Sequence, residues 1–215
     1  MSGGPRIAVL DYKMSNLRSA VKALELLGAR VQVAEAAGQA EGADAVVLPG
    51  VGAFGEAMRR IRAQGLDRVA GTVRERGVPL LGICLGLQLL FDESEESPGA
   101  RGLGLLPGPV RRLETSRKLP QIGWNVVDWS NGGHLAPEDG APSSATYYFV
   151  HTYAARPQDP AHILGTADYG GTFVASAGDG TVTGFQFHPE KSSRAGLALL
   201  GRWLSGVRRG SEVAA

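Results

Sequence analysis

The stretch that most constrains the fold is Val78-Pro79-Leu80-Leu81-Gly82-Ile83-Cys84-Leu85-Gly86-Leu87-Gln88-Leu89-Leu90-Phe91. An apolar run follows a proline, breaks at Gly82, presents a thiol, passes Gly86, and resumes as Leu87, Leu90 and Phe91 at helical spacing. The pattern predicts a strand, a sharp turn and a helix. Glycines two positions either side of Cys84 match the thiol form of a nucleophile elbow, where small residues let the backbone fold tightly enough to expose the central side chain. Cys84 would stand at a helix N-terminus, whose unpaired N–H groups and positive dipole end favour thiolate over thiol. A single cysteine in 215 residues is by itself more often a small buried hydrophobe. The flanking glycines on a strand-to-helix turn shift the reading to a nucleophile.

The segments before this stretch alternate in the same way. Arg6-Ile7-Ala8-Val9-Leu10-Asp11 is almost continuously apolar, the pattern of a strand covered on both faces. Ser15 or Asn16 can cap a helix carrying Leu17, Val21, Leu24 and Leu27, with Gly28 as its stop. Strands are predicted at Arg30-Val31-Gln32-Val33 and Ala43-Asp44-Ala45-Val46-Val47-Leu48, the latter running into Pro49-Gly50-Val51-Gly52-Ala53-Phe54. Helical spacing then continues through Met58, Ile61, Leu66 and Val69 to Gly77. Strands and helices in this order imply right-handed βαβ units and a parallel sheet, whose ligands bind beyond the carboxyl ends of the strands. Both Pro49-Gly50-Val51-Gly52 and Cys84 fall there.

After Phe91 the texture changes to a polar loop, Glu93 to Gly99, and short strand-like pieces separated by Pro and Gly. These are Val110 to Leu113, Gly123 to Trp129, Ala145 to Val150, Ile163 to Ala167, Thr172 to Ser176 and Thr181 to Phe187. Gly178-Asp179-Gly180 signals a hairpin, so this half is expected to be largely antiparallel. A helix from Ser192 to Leu204 carries Leu197, Leu200, Trp203 and Leu204 as a core stripe. Residues 130–143 are read as a loop of no evident purpose, and the span 34–45 is Ala-rich. The fold class is therefore α/β, a mostly parallel twisted sheet flanked by helices with additional antiparallel strands. One domain over 1–206 and a frayed tail over 207–215 are expected.

Charge and composition limit the function classes. Lys plus Arg number 22 against 21 acids, so no global charge draws the chain to nucleic acid or an acidic membrane. No apolar run approaches the roughly 20 residues of a membrane span. Met1 to Pro5 lead into a strand rather than resembling a signal peptide, and one cysteine allows no disulfide framework. A reducing, cytoplasmic setting is expected, and neither a metal nor a cofactor is called for.

A cysteine nucleophile needs a base, and the histidines are His134, His151, His162 and His188. His188 ends the apolar strand Phe185-Gln186-Phe187 and is followed by Pro189 and Glu190; in extended chain, residues 188 and 190 project to one side. A carboxylate there can fix the tautomer and support the imidazolium formed when the ring takes the thiol proton. Attack on an amide also needs donors for the developing oxyanion. The Leu85 N–H at the helix start is one, and a peptide in Pro49-Gly50-Val51-Gly52, at Val51 or Gly52, is the second.

Together, Pro49-Gly50-Val51-Gly52, Gly82-Ile83-Cys84-Leu85-Gly86-Leu87-Gln88 and His188-Pro189-Glu190 resemble a class I glutamine amidotransferase domain. PGVGAF from Pro49, LLFDESEE from Leu89, QIGWN from Gln121, YFVHTY from Tyr148 and HPEKS from His188 narrow the resemblance to the glutaminase subunits of imidazole glycerol phosphate synthase. It spans Ile7 to about Leu204. These subunits often have histidine where this chain has Gln121, which reads as a tolerated surface change.

The resemblance implies a flavodoxin-like arrangement and hydrolysis of glutamine to glutamate and ammonia through a thioester on Cys84. His188 would act as acid and base, and Glu190 would orient it. Gln88 and Glu96 would hold the amino-acid end of glutamine, with His151, Thr152 and Tyr153 lining the pocket. Trp124 and Lys191 would face a partner, the (β/α)8-barrel cyclase subunit HisF, in a heterodimer. There the ammonia would serve formation of imidazole glycerol phosphate and aminoimidazole carboxamide ribotide in histidine biosynthesis. Two glycines around Val51 further suggest that the second oxyanion donor is turned away at rest. The competing readings are a glutaminase or γ-glutamyl hydrolase with a different partner, a non-catalytic interaction module of the same fold and, more remotely, a cysteine protease.

Overall fold

Apolar runs with no polar face become the interior strands of a parallel sheet. In the computed structural model, which describes residues 3–14, 17–130, 135 and 144–213 and their side chains as far as Val207, β1 (Arg6–Leu10) is followed by α1 (Leu17–Leu26) and β2 (Arg30–Ala34). Then come β3 (Ala45–Gly50), α2 (Phe54–Ala63), α3 (Arg68–Arg76), β4 (Leu80–Cys84) and α4 (Leu85–Leu89). β3 and β4 are buried at every position. The candidate caps Ser15 and Asn16, His134, and most of the loop at 130–143 lie outside the described residues.

The second half supplies β5 (Glu93–Ser94), β6 (Pro109–Arg112), β7 (Gln121–Trp129), β8 (Ser144–His151), β9 (Tyr153–Ala155), β10 (Ile163–Asp168), β11 (Thr172–Asp179), β12 (Val182–Phe185) and α5 (Ser193–Val213). Nine strands form one sheet in the order β2-β1-β3-β4-β12-β11-β10-β7-β8. The pairs from β2 through to β12 are parallel and those from β12 to β8 antiparallel. The parallel part has the 2-1-3-4-5 order of flavodoxin-like folds, with β12 in the fifth place. β5, β6 and β9 make a separate small sheet.

Alternation along the parallel strands sorts the core into two layers. Ile7, Val9, Val47, Leu81 and Ile83 face α1 and α5, packing with Leu24, Leu200, Trp203 and Leu204. Ala8, Leu10, Val46, Leu48 and Leu80 face the other way, onto Phe54, Met58, Ile61 and Val73 of α2 and α3. The hairpin at Gly178-Asp179-Gly180 forms, with Asp179 opposite Val182.

Two local expectations differ. The single helix expected through Met58 to Gly77 is two helices, because Gly65 turns left-handed at φ 66° and ends the first. The last helix continues past Leu204 to Val213, where a frayed tail from 207 is expected; Gly206 and Gly210 lie within it without stopping it. Among the described residues, no helix is long and apolar enough to cross a membrane.

Candidate active site

Cys84 joins β4 to α4 with φ 55° and ψ −110°, a left-handed strain that an L residue adopts only when its surroundings impose it. The imposition is steric. A Cβ on Gly82 would lie 2.7 Å from the Gly86 carbonyl oxygen, and one on Gly86 would lie 1.7 Å from the Leu48 carbonyl oxygen in β3. Both positions must be glycine for the elbow to close and for α4 to start against the neighbouring strand. The result lifts the Cys84 side chain to the C-terminal edge of the parallel strands, where a cavity of about 270 Å³ opens.

Val51, Gly52, Cys84, Leu85, Gln88, Glu96, His151, Thr152, Tyr153, His188 and Lys191 all border that cavity, so the structure brings together nearly every residue singled out in the sequence. Pro120 and Val150 border it too, unforeseen. Glu190 stands behind His188, with its Oε1 2.8 Å from His188 Nδ1 and both side chains almost fully buried. The contact does not come from extended-chain alternation, since Pro189–Lys191 is a 3₁₀ turn. Ser192 fixes that turn: its Oγ donates to the His188 carbonyl at 2.6 Å and accepts from Tyr148 N at 3.0 Å. Trp124 does not border the cavity; it stands on β7, 55% exposed.

Nδ1 being taken by Glu190, the other nitrogen of His188, Nε2, is the one left for the cavity and Cys84. Burial pulls the His188 pKa down, but bonds to and charges on Cys84 and Glu190 outweigh it and raise it to about 9. Cys84 Sγ lies 3.7 Å from the Val150 carbonyl, within reach of a thiol donor. Leu85 is the first residue of α4, so its N–H has no partner inside the helix. The Val51 N–H, the other expected oxyanion donor, is bonded to the Met14 carbonyl at 3.0 Å, and Gly52 has φ 100°.

The polar wall is bonded through. Glu96 accepts from the Phe54 N–H at 2.8 Å, at the start of α2. Gln88 Nε2 donates to the Tyr153 carbonyl at 3.0 Å and to Gln186 Oε1 at 3.1 Å. Both its hydrogens are thereby committed, so any ligand bond from Gln88 is one that its Oε1 accepts. His151 lies 2.9 Å from the Tyr153 carbonyl through Nδ1 and 2.9 Å from the Gln121 amide through Nε2. Burial drives its pKa down to about 4 against the opposing bond to Tyr153, so at neutral pH the ring is uncharged. A neutral ring donating from Nδ1 accepts at Nε2, so the Gln121 carboxamide presents its nitrogen there, a half-turn that exchanges its N and O.

Gln121 is therefore not a surface change. It is 3% exposed and bonded to a pocket histidine. Gln186, fully buried between two phenylalanines, is a second residue that the sequence reading passed over. The available signal was its place two residues before His188, at the end of the run predicted as a strand.

A strained cysteine elbow at the carboxyl edge of a flavodoxin-like sheet, sharing a pocket with a carboxylate-bonded histidine, is the constellation of a class I glutamine amidotransferase. The chain belongs to that family: the sequence model of glutamine amidotransferase class I matches residues 8–203. Within the family it is similar to HisH subunits of imidazole glycerol phosphate synthase. The one from Moorella thermoacetica is 49% identical over 90% of this chain and 91% of its own length, and the one from Aquifex aeolicus 46% identical over 91% and 94%. Among solved structures, a glutamine amidotransferase superposes with TM-score 0.72 over 93% of this chain and 98% of that one, at 23% identity. PurLQS from Thermotoga maritima superposes with TM-score 0.73 over 95% and 99%, at 21% identity. These structural likenesses concern the fold.

Proposed function

We propose that this chain is the glutaminase half of an imidazole glycerol phosphate synthase in histidine biosynthesis, hydrolysing glutamine and delivering the ammonia to a (β/α)8-barrel cyclase, HisF. The observation that carries the chemistry is the strained Cys84 thiol in one cavity with a His188 whose far nitrogen is held by Glu190.

His188 Nε2 takes the thiol proton, and the Cys84 sulfur attacks the side-chain carbonyl carbon of glutamine. The tetrahedral oxyanion lies against the Leu85 N–H and a second peptide donor. His188 returns its proton to the departing nitrogen, releasing ammonia and leaving a glutamyl thioester. Water, deprotonated by His188, then cleaves the thioester to glutamate and free thiol. Glu190 keeps Nδ1 protonated and supports the imidazolium through both halves. The Glu96 carboxylate suits the α-ammonium of an amino acid, and Gln88 Oε1 can accept from the same group.

At rest the Val51 N–H is spent on Met14. Rotating that peptide toward Cys84 would complete the oxyanion hole, and occupation of the cyclase would favour the rotated form, so ammonia is not made without an acceptor. The partner surface is read from β7, where Ile122, Trp124 and Val126 project one apolar row outward at 62%, 55% and 46% exposure. Trp124 packs edge-on against Tyr148 of β8, an edge strand of the large sheet. Lys191, at the cavity mouth, adds a charge.

The test is Cys84→Ala, assayed with HisF. Loss of glutamine hydrolysis with complex formation intact is expected; hydrolysis that persists would remove Cys84 as the nucleophile, and a wild-type complex unable to hydrolyse glutamine would return the site to a binding module.

A further inference from the structure

The polar residues around the pocket form a chain whose direction is set at every link. His151 Nδ1 donates to the Tyr153 carbonyl, and that same carbonyl accepts from Gln88 Nε2. Gln88 Nε2 also donates to Gln186 Oε1, which leaves the Gln186 amide nitrogen facing Cys84 Sγ at 3.9 Å. The orientation of Gln186 is thus not free, because turning its amide over would set two nitrogens face to face with Gln88.

A fully buried carboxamide between Phe185 and Phe187 is costly to desolvate, and a hydrophobe of similar size would pack there more cheaply. What the amide supplies instead is an N–H directed at sulfur. The other groups at the sulfur are the Val150 carbonyl, which can only accept and so favours the thiol, and His188. An N–H donor favours and aims the thiolate.

We infer that Gln186 is a further member of the catalytic centre, a donor that holds the Cys84 sulfur in its attacking position and is itself set by Gln88 on the cavity wall. A ligand that engages Gln88 Oε1 then sits one side chain away from the nucleophile. This rests on the nucleophile reading of Cys84, but its test requires no glutamine turnover, so the two can fail separately.

The experiment is alkylation of the full-length chain by iodoacetamide at pH 7, followed by mass spectrometry. With one cysteine in the chain, each adduct reports Cys84. Two variants separate donation from packing. Gln186→Leu removes the donor; Gln186→Glu keeps the size and the acceptor for Gln88 but replaces the N–H by a carboxylate oxygen. The expected result is an alkylation rate about 10-fold lower in Gln186→Leu and lower still in Gln186→Glu, at comparable melting temperatures. In the complex, kcat for glutamine should fall in parallel while KM stays within about threefold, since the residue acts on sulfur rather than on substrate. A packing role predicts the opposite order, with Glu near wild type and Leu impaired. That order, or rates within twofold of wild type, would overturn the inference. If Gln186→Glu fails to fold, Gln186→Met takes its place, keeping the length of the side chain without an N–H; an alkylation rate within twofold of wild type in Gln186→Met would then overturn the inference.

Discussion

The amide nitrogen of Val51 lies 3.0 Å from the carbonyl oxygen of Met14, so the peptide expected to steady an oxyanion at Cys84 is bonded to the segment after β1 instead. On the proposed mechanism, breaking that bond and turning the N–H inward would separate a resting from a competent site. An oxyanion donor is typically worth about 3 kcal/mol of transition-state stabilisation, which is roughly 100-fold in rate. Glutaminase turnover should therefore rise by about that factor from the isolated chain to the HisF complex with cyclase ligand bound. Measuring kcat in the isolated chain, the complex, and the liganded complex checks this; equal rates would remove the gate from the account.

Trp124 should dominate the docking face. Truncating a central interface tryptophan commonly costs about 2 kcal/mol or more, roughly 30-fold in Kd. Trp124→Ala should weaken HisF binding by at least that in titration calorimetry. Leu26→Ala on α1, at a residue 73% exposed, should leave Kd within twofold. Equal effects would move the interface off β7.

The two pocket histidines predict the shape of the pH–stability curve. His188 has its pKa raised to about 9, so its contribution is complete below the unfolded value near 6.5 and is lost as pH rises through 9. His151 has its pKa lowered to about 4, so its contribution is complete above 6.5 and is lost as pH falls toward 4. Each flank should slope by at most about 1.4 kcal/mol per pH unit, with the maximum near pH 6.5. Chemical denaturation across pH 4 to 10 measures it. His151→Phe should flatten the acid flank and leave the alkaline one.

Two glycines should respond in opposite ways. A Cβ at Gly86 meets the Leu48 carbonyl, so Gly86→Ala must displace β3 or α4 and should cost about 3 kcal/mol or more. Gly71, exposed in the interior of α3 with nothing within 4 Å of a new Cβ, should gain about 0.5–1 kcal/mol as alanine. Denaturant midpoints with unchanged m-values report both.

Much of this was legible beforehand because local pattern and tertiary role agreed. The parallel strands are apolar on both faces, and the elbow is spelled out by glycines whose absence of Cβ the structure then uses. What escaped notice is where polar residues sit inside. Gln186 looks like any interruption of an apolar strand, and Gln121 begins a strand whose pattern runs backwards: Ile122, Trp124 and Val126 point out while Gln121 is buried. Alternation alone would have assigned the apolar row to the core. The partner lies in no local pattern, and neither does the bond between Val51 and Met14, which joins segments brought together only by the sheet.

The central claim is that glutamine is cleaved through a covalent bond to the Cys84 sulfur. Mixing the HisF complex with glutamine and cyclase ligand, quenching in acid within the first turnovers, and mapping the adduct by mass spectrometry tests it most directly. A glutamyl thioester on Cys84, absent from Cys84→Ala, is the predicted result. Steady hydrolysis of glutamine by Cys84→Ala, or by wild type with no adduct ever trapped on Cys84, would contradict it.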